Sequence, residues 1–251
     1  MPEITINCIK TNYEIFGEGT PFLVLHGWGS NIERWEKIAK IISGKGFRVV
    51  AVDLPGFGKS DVPPIGWGMG DYLLWLEEFL DCFLEFKENF YLLGHSFGGS
   101  LAMNYSVKHP KKIRKLFLVA AAGIRKKTFK KTVLSDIAKF ANNFKNIPLY
   151  GFARKVFYKF FVQRTDYLTI KESMKDTYLK IIAQDFSDLV PKITAPTIII
   201  WGDKDNLTLV EDGYYMQKNI KNSKLIVIPE ADHYLNVKIP DVLSKEVLNN
   251  I

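Results

Sequence analysis

Residues Leu93–Ser100 read LGHSFGGS. The stretch follows an apolar run, FYLL at Phe90–Leu93, and opens a segment, Phe97–Lys108, with helical spacing. Packing gives no reason to box a serine between glycines there. Chemistry does. The spacing G-x-S-x-G over Gly94–Gly98, placed after a strand and at the start of a helix, is the setting of a nucleophile elbow. A strand that turns into a helix within about two residues strains its central residue and crowds the neighbours, so Gly94 and Gly98 supply room. Ser96 is thereby lifted clear of the main chain at the positive end of a helix.

A serine hydroxyl is a weak nucleophile and needs a base that is itself held by an acid. The chain has four histidines. His26 opens HGWG after a strand, His95 sits inside the elbow, and His109 lies in KHP at a helix end; each suits a structural role. His233, in EADHYLN on a loop after the last strand, is the expected base. In the order Ser, Asp, His the acid falls between them. WGDKDNL offers Asp203 and Asp205, and Asp205 is preferred because the carboxylate nearer the strand more often holds the turn. The end of the preceding strand, VAAAG, carries no carboxylate.

Stabilising the tetrahedral intermediate requires N–H donors, worth about 2.7–4 kcal/mol each. HGWG at His26–Gly29 supplies one set, so the main-chain amides of Trp28 and Phe97 are the expected oxyanion donors. The two side chains are then expected to line the substrate pocket.

Working outward, short strand-like runs alternate with helical patterns, which predicts parallel β-α-β construction. Strands are expected at Thr5–Ile9, Tyr13–Phe16, Phe22–Leu25, Arg48–Val52, Tyr91–Leu93 and Lys115–Val119. Helices are expected at Ile32–Ile42, Asp71–Phe86 and Phe97–Lys108. From Gly123 to Val190 the pattern turns basic, aromatic and helical, with Ile170, Met174, Tyr178 and Ile181 in register. At Thr197 a β-branched run restarts the alternation, followed by a helix at Leu209–Lys218, a strand at Leu225–Ile228 and a helix at Asp241–Asn249. The expected division is a core over 1–122 and 191–251, interrupted by a helical cap over 123–190.

The chain of 251 residues carries a net charge of +7. That excess is local. Residues 123–190 hold 14 Lys and Arg against 6 Asp and Glu, and the remainder is close to balanced. The cluster Arg125, Lys126, Lys127, Lys130 and Lys131 is expected foremost to be a solvated face, and alternatively to attract an acidic carrier protein or anionic lipid. No helix-turn-helix or RNA-binding signature accompanies it, so nucleic acid is not an expected partner. Cys8 and Cys82 have neither disulfide nor zinc spacing and are expected to be buried thiols. No apolar run approaches the roughly 18 residues of a membrane span and the N-terminus has no leader pattern, so a cytoplasmic protein is expected. DLPGFGKS ends like a phosphate loop, but the position of its first glycine is taken by Asp53. Asp53 is expected to brace its loop.

LVLHGWGSNIERW, VDLPGFGKS, LLGHSFGG, IIIWGDKDNLTL and IPEADHYLN together resemble an α/β-hydrolase, in that order and over the whole core. The resemblance implies a mostly parallel eight-stranded sheet flanked by helices, with a helical cap after the sixth strand. It also implies Ser96, Asp205 and His233 as a catalytic triad that cleaves carboxylic esters without metal or organic cofactor. HGWG, DLPGFGKS and the basic cap are similar to carboxylesterases that demethylate pimeloyl esters on acyl carrier protein, which carry GWSLGG where this chain has GHSFGG. Dehalogenases and epoxide hydrolases of the fold place aspartate at the elbow, and ring-fission hydrolases often read GNSMGG. In the cap, Phe160 and Phe161 are candidates to line an acyl pocket. Alternatives are thioester hydrolysis or acyl transfer on a carrier protein, and a slow-turnover ligand receptor that keeps the triad.

Overall fold

The computed structural model describes residues 3–125 and 172–251. The chain divides into two compact units, one of Met1–Gly123 with Glu172–Ile251 and one of Ile124–Lys171. Phe160, Phe161, Lys126, Lys127, Lys130 and Lys131 lie outside the described residues.

Near-continuous apolar runs build the centre of the sheet, as expected of parallel strands covered on both faces. These are β3 (Thr20–Leu25), β4 (Phe47–Val52), β5 (Phe90–His95), β6 (Ile113–Val119) and β7 (Thr197–Gly202). With β1 (Glu3–Ile6), β2 (Ile9–Phe16) and β8 (Ser223–Ile228) they form one sheet of eight strands, in the order β1-β2-β4-β3-β5-β6-β7-β8. Only β1 and β2 run antiparallel to their neighbours. Phe22, Leu23, Leu92, Leu93, Leu116, Phe117 and Ile199 are fully buried at its centre.

The α-helices of the described residues are α1 (Glu36–Ser43), α2 (Met69–Asp81), α3 (Phe97–Lys108), α4 (Glu172–Ala183), α5 (Val210–Asn219), α6 (Leu235–Lys238) and α7 (Pro240–Leu248). Among the described residues no helix is long and apolar enough to cross a membrane.

Three expectations are corrected. The run Thr5–Ile9 is not one strand, because Asn7 and Cys8 take φ of 49° and 63° and turn the chain back, pairing Ile6 with Ile9. Left-handed backbone at two successive residues is the signature of a tight hairpin. The helices expected at Ile32–Ile42 and Asp71–Phe86 each divide. A 3-10 turn at Ile32–Arg34, capped by the Asn31 side chain, precedes α1, and another at Leu84–Lys87 follows α2. Both cysteines are exposed rather than buried, since Cys8 sits on the hairpin turn and Cys82 at the C-terminal cap of α2.

Asp53 braces the loop after β4. Its buried carboxylate accepts from Asn12 Nδ2 (2.8 Å), Ile32 N (2.8 Å) and Lys59 N (2.9 Å). Gly58, at φ 55°, leaves the space that the carboxylate fills. Asp53→Ala strands three donors at about 1–3 kcal/mol each, so a stability loss of at least about 3 kcal/mol is expected in urea unfolding. A loss below about 1 kcal/mol would show that the loop does not depend on it.

Candidate active site

The candidate residues gather at the carboxyl ends of β5, β7 and β8. Ser96 is the single residue between β5 and α3, at φ 50° and ψ −114°. That left-handed strain is held by hydrogen bonds on both sides of the residue. Its N–H donates to Val119 O (3.0 Å), and its carbonyl accepts from Ser100 N (3.1 Å) and Ala122 N (3.0 Å). The glycines do what their spacing implied. A Cβ on Gly98 would run into Leu25 O of β3, and one on Gly94 into Gly98 O.

His233 lies on the loop after β8 and Asp205 on the loop after β7. Both are buried, and His233 Nδ1–H donates to Asp205 Oδ2 at 2.7 Å. The two loops clasp each other. Gly202 leaves no room for a side chain against Ala231, and Lys204 N donates to Ala231 O at 2.9 Å. Asp205 Oδ1 accepts from Leu207 N (2.8 Å) and Thr208 N (2.9 Å). Burial pushes the Asp205 carboxyl up, but the hydrogen bond and charge of His233 and these backbone N–H groups outweigh it and hold the carboxyl below its ordinary value. Asp203, the other candidate, is exposed.

His233 thus presents Nε2 as the ring nitrogen without a hydrogen-bond partner among the described residues. No hydrogen bond joins Ser96 Oγ to it. The two residues are joined instead through His95, the neighbour of Ser96, whose Nε2–H donates to His233 O at 3.0 Å with the rings 4.9 Å apart. Burial, then the proximity of His233, push the His95 imidazole down to about 3, so it stays neutral. Its Nδ1 is buried without a partner among the described residues.

HGWG follows β3 and lies against the elbow, where a Cβ on Gly27 would sit 3.1 Å from Ser96 Cβ. His26 is structural. Its Nδ1–H donates to Gly27 O (2.8 Å) and its Nε2 accepts from Leu54 N (3.0 Å), tying the turn to the loop after β4. Neither Trp28 N nor Phe97 N donates to a carbonyl of the described residues. The Trp28 ring packs against Phe57 (4.8 Å between centroids), Tyr178 of α4 (5.2 Å) and Phe97 (5.6 Å). An aromatic wall therefore stands beside Ser96. His109 pairs with Glu77 Oε1 at 2.5 Å at the far end of α3.

Two further residues belong to this arrangement: His95, to which the sequence assigns only a structural role, and Thr208, which it does not single out. The Thr208 hydroxyl lies 2.9 Å from Asp205 Oδ2 and 3.2 Å from His233 Nδ1. His95 sits inside the elbow motif but its partner His233 is 138 positions away, and a threonine three residues beyond an aspartate forms no motif of its own.

The model of the alpha/beta hydrolase fold family matches residues 20–238, and the chain belongs to that family. Among curated relatives, Lipase 1 of Psychrobacter immobilis is 28% identical over 247 residues, covering 89% of this chain and 74% of that protein. A pimeloyl-[acyl-carrier protein] methyl ester esterase of Legionella pneumophila (strain Paris) is 26% identical over 241 residues, covering 86% and 89%. Of the solved structures, a serine hydrolase involved in carbazole degradation superposes with a TM-score of 0.76 at 23% identity, covering 99% of this chain and 97% of that one. The likeness to that structure is one of fold.

Proposed function

We propose that the protein is a serine hydrolase that cleaves carboxylic esters through an acyl-enzyme, with Ser96 as nucleophile, His233 as base and Asp205 as the acid that orients it. The observation that carries this reading is the buried 2.7 Å His233–Asp205 hydrogen bond, in a loop tethered through His95 to the strained elbow of Ser96. Lipases and ester esterases among the relatives support the substrate class.

In the proposed reaction Asp205 holds Nδ1–H, so Nε2 takes the Ser96 proton as Oγ attacks the ester carbonyl. Hydrogen bonds of this kind are often long in unliganded enzymes and tighten when substrate binds. The amides of Trp28 and Phe97 receive the oxyanion. Collapse of the intermediate expels the alcohol, which takes the proton from His233. Water then attacks the acyl-enzyme by the same route and releases the acid.

Fluorophosphonate labelling tests the reading. Stoichiometric modification is expected, mapped by peptide mass spectrometry to Ser96, together with burst kinetics on an activated ester. Modification elsewhere, or none, overturns the assignment. A burst followed by negligible turnover would instead mark a slow receptor built on the same triad.

A second reading, an ester or thioester carried on an acidic acyl carrier protein, is favoured by the relatives that act on pimeloyl-[acyl-carrier protein] methyl ester. The basic stretch Arg125–Lys131 is its proposed docking surface. Neutralising Lys126, Lys127, Lys130 and Lys131 would then weaken carrier binding and flatten its salt dependence.

A further inference from the structure

Resting on the triad reading above, we infer that Thr208 is a positioning residue of the reaction, a fourth member that fixes the acid against the base through its hydroxyl. The hydroxyl oxygen stands among three groups from three parts of the sheet edge. Asp205 Oδ2 is 2.9 Å away, Ala120 O at the end of β6 is 3.1 Å away, and His233 Nδ1 is 3.2 Å away.

A hydroxyl has one proton and two lone pairs, so it cannot serve both acceptors at once. With the proton on Asp205 Oδ2, the carboxylate holds four hydrogen bonds: Leu207 N and Thr208 N on Oδ1, His233 Nδ1 and the Thr208 hydroxyl on Oδ2. Its plane is then fixed relative to the imidazole. With the proton turned to Ala120 O, a lone pair faces Nδ1–H instead, at the moment the ring takes on positive charge. Nδ1 keeps its proton throughout, and the lone pair turned to it gains most once the ring is charged, so the hydroxyl helps the transition state more than the bound substrate.

Ala120 is built for this. It holds φ at 44°, a conformation that costs energy for a residue with a Cβ, and its N–H is tied to Ile200 O at 2.9 Å. Its carbonyl thereby reaches the acid loop from the neighbouring strand. The main chain of Thr208 is secured separately, since Trp201 Nε1 donates to Thr208 O at 2.8 Å. A change confined to the side chain leaves that anchor and both backbone bonds to Oδ1 in place.

The test compares Thr208→Val, which keeps the shape and removes the hydroxyl, with Thr208→Ser, which keeps the hydroxyl. On p-nitrophenyl butyrate, Thr208→Val is expected to lower kcat about 5- to 30-fold with KM within about twofold, and Thr208→Ser to recover kcat to within about threefold of the parent. The downfield proton resonance of the hydrogen-bonded imidazole N–H should be sharp in the parent and in Thr208→Ser, and broadened in Thr208→Val. An unchanged kcat in Thr208→Val, a change confined to KM, or an equal loss in both variants overturns the inference. Fluorophosphonate labelling of the parent separates the two levels. If Ser96 is labelled and Thr208→Val keeps full kcat, the inference alone fails; if Ser96 is not labelled, the triad reading fails and takes the inference with it.

Discussion

Ser96→Ala should reduce turnover of short p-nitrophenyl esters by about 10⁵-fold or more while leaving the fold intact. Both halves of that expectation follow from the elbow. The side chain at φ 50° must carry only what a strained strand-to-helix turn accommodates, and alanine keeps the Cβ that already fits there. No hydrogen bond within the described residues depends on the hydroxyl, so the melting temperature should move by no more than about 3 °C. In the proposed reaction, in contrast, the serine oxygen bonds to the acyl carbon, and no neighbour among the described residues replaces it. His95 is neutral but faces the His233 carbonyl with its only N–H, and the Thr208 hydroxyl is turned to the acid. Initial rates with purified protein, circular dichroism and loss of fluorophosphonate labelling check the expectation together. Retained activity in a pure, folded Ser96→Ala sample would remove the nucleophile and with it the mechanism.

What the sequence disclosed about the site is whatever steric necessity writes locally. Gly94 and Gly98 are spaced around Ser96 because main-chain atoms of α3 and of Leu25 occupy the places where side chains would stand, and that necessity shows in any five-residue window. Asp205 rather than Asp203 is expected in the sequence because the carboxylate nearer the strand more often holds the turn, and it is Asp205 that lies 2.7 Å from His233. The hydrogen bonds that surround this pair are not legible there. His95 and Thr208 act through residues 138 and 3 to 88 positions away, and a lone histidine or threonine has the same appearance whether it faces solvent or a carboxylate. The hairpin at Asn7–Cys8 is hidden in the sequence for a related reason. Two left-handed residues usually announce themselves as Asn-Gly, and here cysteine takes the second place, so five residues of strand-like composition hid a reversal. Both cysteines are expected inside because that residue type is usually buried, and the turn and the helix end on which they sit carry them outward.

Asp205→Asn is expected to lower kcat about 10³- to 10⁴-fold, nearly as far as loss of the nucleophile permits, with the loop structure preserved. The amide keeps an oxygen for Leu207 N and Thr208 N, so the backbone cage around Oδ1 survives. Its NH₂ group, however, faces Nδ1 of His233 where the carboxylate accepted a proton-bearing nitrogen at 2.7 Å. A donor facing a donor drives the imidazole to the other tautomer, with the proton on Nε2, and that nitrogen then has no lone pair with which to take the Ser96 proton. The same substitution should alter acid stability in a defined direction. In the parent, the Asp205 carboxyl is held below its ordinary value once the His233 and backbone bonds outweigh burial. Its contribution to stability is therefore complete above about pH 4, the unfolded-state value, and is lost as pH falls through the lower folded-state value. Asparagine has no such dependence, so the fall in melting temperature between about pH 5 and pH 2 should be shallower in the variant than in the parent. Steady-state kinetics and a pH series of thermal melts read the two effects independently. Full activity with an unchanged acid slope would mean that the carboxylate, although 2.7 Å from the imidazole, neither orients the base nor carries a charge that the fold relies on.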